Sequence, residues 1–201
     1  MGGRERMPQK IANAREKLMQ RGKIFLLQNA DGKQGKLSIR NLTAECGIAL
    51  GTFYHYFSSK DDLVRQILWE DWQHVLGAID ESLRCGGTLY EKVHCLYDQL
   101  DGFEQTYRCS ALALFSPTRE NIDFREENLR LLYERVQVFL REEVEHGELK
   151  LYAETTSAAY LLVQLFLATS RNRDMDFDEL WKCMNFQDGT AEQAAAEGGK
   201  P

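Results

Sequence analysis

Residues 37–63 read LSIRNLTAECGIALGTFYHYFSSKDDL, and this stretch decides how the rest of the chain is to be read. Ser38 is a good N-cap for a helix whose apolar residues Ile39, Leu42 and Cys46 follow at i, i+3 and i+7. Gly47 is suited to the left-handed conformation that ends such a helix. A second short helix fits residues 49–56. Ser59 and Asp62 then match the S-x-x-D/E capping signature and start a third. The first two helices are too short to stand alone in water and must lean on a neighbour. The segment QKIANAREKLMQRGKIFLLQNADG is available, with apolar residues at 11, 14, 18, 25 and 26. Helix, short glycine-containing turn, helix is the helix-turn-helix pattern. In that pattern the second helix enters the major groove of DNA.

Four rings crowd the second helix: Phe53, Tyr54, Tyr56 and Phe57, with His55 among them. At about 100° per residue, Phe53, Phe57 and Leu50 fall in one apolar stripe and are expected to pack on the other helices. Tyr54 and Tyr56 lie on the two shoulders. Gly51, Thr52 and His55 occupy the opposite face. Gly51 lets backbone come close to a ligand, and the hydroxyls of Thr52, Tyr54 and Tyr56 can donate to phosphate. The alternative is that both tyrosines are half-buried with wetted hydroxyls. Lys60 sits at the first position of a capped helix, where a cation is disfavoured by about 0.3–1 kcal/mol but a phosphate is attracted. Arg40, two residues past the Ser38 cap, can reach a phosphate or a guanine edge. Each cation taken alone is equally compatible with a solvated side chain.

Charge supports the same division. The chain of 201 residues carries a net −6, with 25 Lys and Arg against 31 Asp and Glu. Residues 1–60 hold 11 Lys and Arg and 4 Asp and Glu, a balance of +7; residues 61–201 hold 14 and 27, a balance of −13. A basic head on an acidic body points to a polyanion at the head. A solvated basic tail is the competing explanation, since six of those cations lie before residue 22.

The remainder reads as helix. No convincing strand pattern or 20–50-residue repeat occurs. The third helix continues through LVRQILWEDWQHVLGAIDESLR, and further helices are expected near 88–107, 110–116, 122–146, 153–171 and 176–186, about nine in all. Gly22 weakens the first helix and leaves open a break there. Breaks are expected at SPTREN (116–121), where Pro117 disfavours helix at Ser116, and at EHGELKLY (145–152). Residues 1–8, the loop at 31–36 and the tail from 188 to 201 are expected to lack regular structure. No apolar run reaches the length of a membrane span, and MGGRERMPQK lacks a signal-peptide core, so a cytoplasmic location is expected. The five cysteines at 46, 85, 95, 109 and 183 form no CxxC pair and read as small apolar residues. Cys85, His94, Cys95 and Cys109 have no recognisable metal-ligand spacing. Neither metal nor cofactor is expected.

The 37–63 stretch resembles the DNA-binding head of TetR/AcrR-type bacterial transcription regulators. The family pattern is a Ser/Thr-capped helix, a small-residue turn ending in glycine, then xGTxYxYFxSKxxL. Gly51, Thr52, Phe53, Tyr54, Tyr56, Phe57, Ser59, Lys60 and Leu63 stand in register with it. The resemblance implies an all-α fold: a three-helix head (1–60) joined by the helix from residue 60 to a helical effector-binding and dimerisation body (61–187), with a disordered tail (188–201). It implies that Ser38, Thr52, Tyr54, Tyr56 and Lys60 contact phosphates of double-stranded DNA. Arg40, Leu50, Gly51 and His55 would lie in or near the groove. Two departures stand out. Ala49 replaces the usual polar cap, and Leu50 is apolar where a polar base reader is usual and could touch a thymine methyl.

The body resembles the family in layout alone. That layout implies a homodimer through the helices near 153–171 and 176–186, a palindromic operator, and a small-molecule effector. Trp72, Tyr90, Tyr97, Phe103, Tyr107 and Phe115 are the aromatic candidates to line its site, and each also fits core packing. The expected function is a ligand-responsive DNA-binding regulator, a repressor released by its effector. A different class, a protein-interaction partner or co-activator without its own operator, is opposed by the basic head and by Lys60. Catalysis is not expected: no Ser/His/Asp, metal or phosphate-loop arrangement is present, and His74, His94 and His146 are isolated.

Overall fold

The computed structural model describes residues 8–28, 37–114, 118–172 and 175–184. Every regular element among them is an α-helix: α1 (Pro8–Gln28), α2 (Ile39–Glu45), α3 (Leu50–Tyr56), α4 (Lys60–Arg84), α5 (Leu89–Leu114), α6 (Arg119–Glu145), α7 (Thr155–Asn172) and α8 (Phe177–Met184). The expected all-α class holds, with eight described helices. The two helices expected near 88–107 and 110–116 are one. No glycine or proline lies between Tyr107 and Ser110 to end α5. The expectations at residues 1–7, 31–36, Phe115, Pro117 and 188–201 fall outside the described residues. No described helix is long and apolar enough to cross a membrane.

The described residues fall into two compact units. One takes the chain up to Trp72 together with Thr106–Phe124, and the other takes Gln73–Gln105 with the residues from Arg125 onward. In the first, Leu18 and Leu26 of α1, Leu42 of α2, Phe53 and Phe57 around α3, and Leu63, Val64 and Ile67 of α4 form a closed apolar core. Gly22 belongs to this core and does not break α1. A Cβ there would come within 2.8 Å of Ile67 Cδ1 and 3.3 Å of Leu63 Cδ2. The helix penalty of an internal glycine, about 1 kcal/mol, is offset by the close approach of α4. Ion pairs add to the same seam: Arg15 to Glu70 at 3.3 Å and Lys23 to Asp71 at 2.6 Å.

In the second unit, Val93, Leu96 and Leu100 of α5, Leu132, Val136 and Leu140 of α6, and Val163 and Phe166 of α7 are buried together. The sequence caps its helices locally. Thr88 and Glu91 form a reciprocal capping box, with Glu91 N–H donating to Thr88 Oγ1 at 3.2 Å and Thr88 N–H to Glu91 Oε2 at 2.9 Å. Asp176 accepts from Glu179 N–H at 2.9 Å at the start of α8. A part-buried charge pair, Lys92 to Glu143 at 2.6 Å, joins α5 to α6.

Candidate nucleic-acid interface

The short helices form as their caps require. Ser38 is extended (φ −106°, ψ 122°) and its hydroxyl accepts from Asn41 N–H at 3.5 Å. Gly47 takes φ +64°, the conformation that turns the chain between α2 and α3. Ala49 occupies the N-cap position of α3 and supplies no side-chain bond there. At α4, Ser59 Oγ accepts from Asp62 N–H at 3.1 Å. The other half of the expected capping box is displaced by one residue. Asp62 Oδ2 accepts from the N–H of Ser58 at 2.8 Å and from its hydroxyl at 3.0 Å. Burial pushes the Asp62 carboxyl up, but the bonds from Ser58 and Gln66, with Arg65 nearby, outweigh this and hold it below the ordinary range.

α3 is two-faced. Phe53 and Phe57 have no exposed surface, and their ring centroids are 5.4 Å apart. Tyr54 meets Phe53 edge-on at 5.4 Å yet remains 55% exposed. Tyr56 is half-buried, with its ring 4.9 Å from that of His55. The four rings therefore form one continuous strip from core to surface. All nine residues singled out for DNA contact lie at the surface: Arg40, Leu50, Gly51, Tyr54 and His55 are exposed, and Ser38, Thr52, Tyr56 and Lys60 are half-exposed. The structure corrects Leu50, which was expected in the buried stripe and is 40% exposed. The wheel ignores axial position. Leu50 is the first residue of α3, about 4.5 Å along the axis before Phe53, and it stands clear of the core that Phe53 enters.

The cations divide by role. Arg15, Arg21 and Lys23 are tied to Glu70, Glu45 and Asp71, so part of the basic balance of the head serves its own packing. Among the described residues, Arg40 and Lys60 form no ion pair. Gly51 is also spared by the fold: a Cβ there would meet nothing within 4 Å, and its φ is not positive.

The aromatic effector candidates among the described residues are Trp72, Tyr90, Tyr97, Phe103 and Tyr107. Trp72 and Tyr107 are buried in the first unit, and the Tyr107 hydroxyl donates to Asp71 Oδ2. Burial, then this bond to a carboxylate, holds the Tyr107 phenol far above its ordinary range. Tyr90 and Tyr97 belong to the second unit and pack on Phe177 of α8, with centroids 5.4 and 5.3 Å away. Tyr97 also meets Phe166 of α7 edge-on. Phe103 is half-buried in the same unit. Among the described residues, no group of three His, Cys, Asp or Glu is placed to hold a metal.

Sequence reasoning missed two polar nodes in the first unit. Asp71 joins Lys23 of α1 to Tyr107 of α5. Asn121 of α6 joins Asp61 and Arg65 of α4. Both depend on residues 36–60 positions apart. The one local signal was the i, i+4 pair of opposite charges at 61 and 65.

Comparison with known proteins supports the reading of the head. The sequence model described as bacterial regulatory proteins, tetR family, matches residues 35–67. No curated protein sequence matches the chain. Among solved structures, the chain is similar to a TetR/AcrR-family transcriptional regulator from Thermobifida fusca YX-ER1, at 18% identity and TM-score 0.63 over 80% of this chain and 85% of that one. It is similar to a TetR-family transcriptional regulator from Agrobacterium tumefaciens, at 17% identity and TM-score 0.62 over 80% and 87%. It is also similar to the transcriptional regulator FadR from Bacillus subtilis in complex with stearoyl-CoA, at 18% identity and TM-score 0.60 over 80% and 90%. Residues 35–67 thus match the TetR-family sequence model, and the described residues have the fold of the TetR/AcrR-type transcriptional regulators.

Proposed function

We propose that this chain is a ligand-responsive repressor that grips a palindromic operator as a homodimer and is released by a small molecule. The observation that carries the reading is the two-faced α3. Phe53 and Phe57 fix it from inside, while Gly51, Thr52, Tyr54, His55 and Tyr56 reach the surface near Arg40 and Lys60, which form no ion pair among the described residues. In this reading α3 lies in the major groove. Ser38, Thr52, Tyr54, Tyr56 and Lys60 hold the phosphates on either side. Arg40, Leu50, Gly51 and His55 meet or approach base edges. The head, residues 1–60, is the DNA-binding part, and residues 61–187 form the effector-binding and dimerising body.

The homodimer is supported by α7. Tyr160, Leu161 and Leu165 are 52%, 64% and 40% exposed on one side of this helix, an apolar stripe that a second copy would cover. α8 has a charged outer face, with Asp178, Glu179 and Lys182 exposed, and would border that contact. A two-fold pair sets its heads about 34–36 Å apart, one turn of duplex, and so selects an inverted repeat. An effector is supported by the likeness in fold to FadR, which was solved with stearoyl-CoA. Release requires the effector to prefer a geometry of the dimer that cannot span both half-sites.

The test is binding to the DNA upstream of the chain's own coding region, followed against salt. Specific affinity at least a thousandfold above random duplex is expected. Lys60→Ala should weaken binding to every sequence and lower the slope of log affinity against log salt by about 0.9. Affinity for that DNA in the range of random duplex refutes it as the operator. An unchanged salt slope in Lys60→Ala removes Lys60 from the phosphate contacts.

A further inference from the structure

We infer that Asn121, at the start of α6, is a positioning residue for DNA binding: its side-chain amide clamps the first turn of α4 and so sets Lys60 against phosphate. The inference rests on the reading of Lys60 as a phosphate contact.

Three consecutive residues open α4 and each faces a different task. Lys60 is half-exposed and in no ion pair among the described residues. Asp62 turns back toward α3 and is held by Ser58 N–H at 2.8 Å and by Gln66 at 3.1 Å. Asp61 turns the other way, where its Oδ2 accepts from Asn121 Nδ2 at 3.2 Å. Thus the two carboxylates beside Lys60 are both drawn to partners other than Lys60.

The clamp has a direction. Asn121 is 8% exposed and both ends of its amide are used: Nδ2 donates to Asp61, and Oδ1 accepts from Arg65 Nη1 at 2.7 Å. Asp61 and Arg65 stand at i, i+4 on α4, where they could pair directly. The amide from α6 bonds to both. Arg65 also reaches Glu120 at 3.2 Å, and the Asn121 N–H is capped by Thr118 Oγ1 at 3.4 Å. An apolar contact would tolerate sliding. A donor facing an acid and an acceptor facing a base accept one register of α6 on α4. A polar network whose members are all satisfied rigidifies the elements it joins. What it orients here is the turn that carries Lys60.

The test uses the full chain and a random-sequence DNA duplex, reading the salt slope of binding together with thermal melting. Lys60→Ala should lower the slope by about 0.9. Asn121→Leu, similar in size, should lower it as much, and Lys60→Ala combined with Asn121→Leu should match Lys60→Ala alone. A merely structural role would leave the slope of Asn121→Leu unchanged, or add its effect to that of Lys60→Ala, and either result overturns the inference. If Asn121→Leu does not fold, the decision falls to Asn121→Asp and its exchange partner. Asn121→Asp sets two carboxylates face to face and should lower the slope. Asp61→Asn with Asn121→Asp keeps the net charge, re-forms the amide–carboxylate bond and should restore it. Failure of the exchange to restore it overturns the inference. If Lys60→Ala itself leaves the slope unchanged, the phosphate reading of Lys60 falls and takes this inference with it. If only Asn121→Leu does so, the inference falls alone.

Discussion

Gly51→Ala should make the protein more stable and a worse DNA binder. The two effects have separate causes. Within the protein, a Cβ at 51 meets nothing within 4 Å, and the residue is helical with φ in the ordinary range. Glycine in a helix costs roughly 0.5–1 kcal/mol relative to alanine, chiefly through entropy of the unfolded chain. The substitution should therefore add up to about 1 kcal/mol, a rise of about 2–4 °C in Tm for a chain of this size. On DNA, the same methyl would stand between the α3 backbone and the groove. An inserted methyl in a close contact typically costs about 1–3 kcal/mol, or roughly 5- to 150-fold in affinity. Differential scanning calorimetry and fluorescence anisotropy on one preparation read both. A fall in Tm would mean that the fold itself demands glycine at 51. An affinity unchanged within twofold would mean that no backbone approaches DNA there.

Further perturbations probe other elements. Asp62 has a folded pKa below its ordinary value, so the stability it contributes is present above that value, about 3.9, and is lost as pH falls through the lower folded value. Urea midpoints should fall below about pH 4, and Asp62→Asn should shrink that fall; an equal fall in both proteins would contradict the assignment. Tyr107→Phe removes the donor to Asp71 and leaves that carboxylate with Lys23. It should cost about 1.5–3 kcal/mol in chemical denaturation, and a loss under 0.5 kcal/mol would show the bond to be dispensable. Leu161→Glu places a charge in the exposed α7 stripe. Sedimentation should show a folded monomer, whereas an intact dimer would move the interface elsewhere.

What the sequence revealed was local. Ser38, Gly47 and Ser59 mark their helix ends through bonds to residues three or four positions away, so α2, α3 and the start of α4 were legible. The helical period separated Phe53 and Phe57 from Tyr54 and His55 for the same reason. Leu50 misled because a wheel projects away the axis, and the first residue of a short helix overhangs its support. Gly22 looked like a defect because Leu63 and Ile67, which need it small, come from another helix. The clamp at Asn121 and the node at Asp71 arise from side chains that only tertiary packing brings together. Ring content and position in the body do not separate a lining residue from core packing: Tyr97 packs against Phe166 and Phe177, contacts that only tertiary structure supplies.

The central claim is that paired α3 helices read an inverted repeat. Repeated selection of random DNA duplexes on the full-length protein tests it without assuming any operator. The account predicts enrichment of one inverted repeat whose half-sites are centred about one helical turn apart, at roughly 10–10.5 base pairs. Selection that converges on no sequence, or on a single half-site without symmetry, would contradict it.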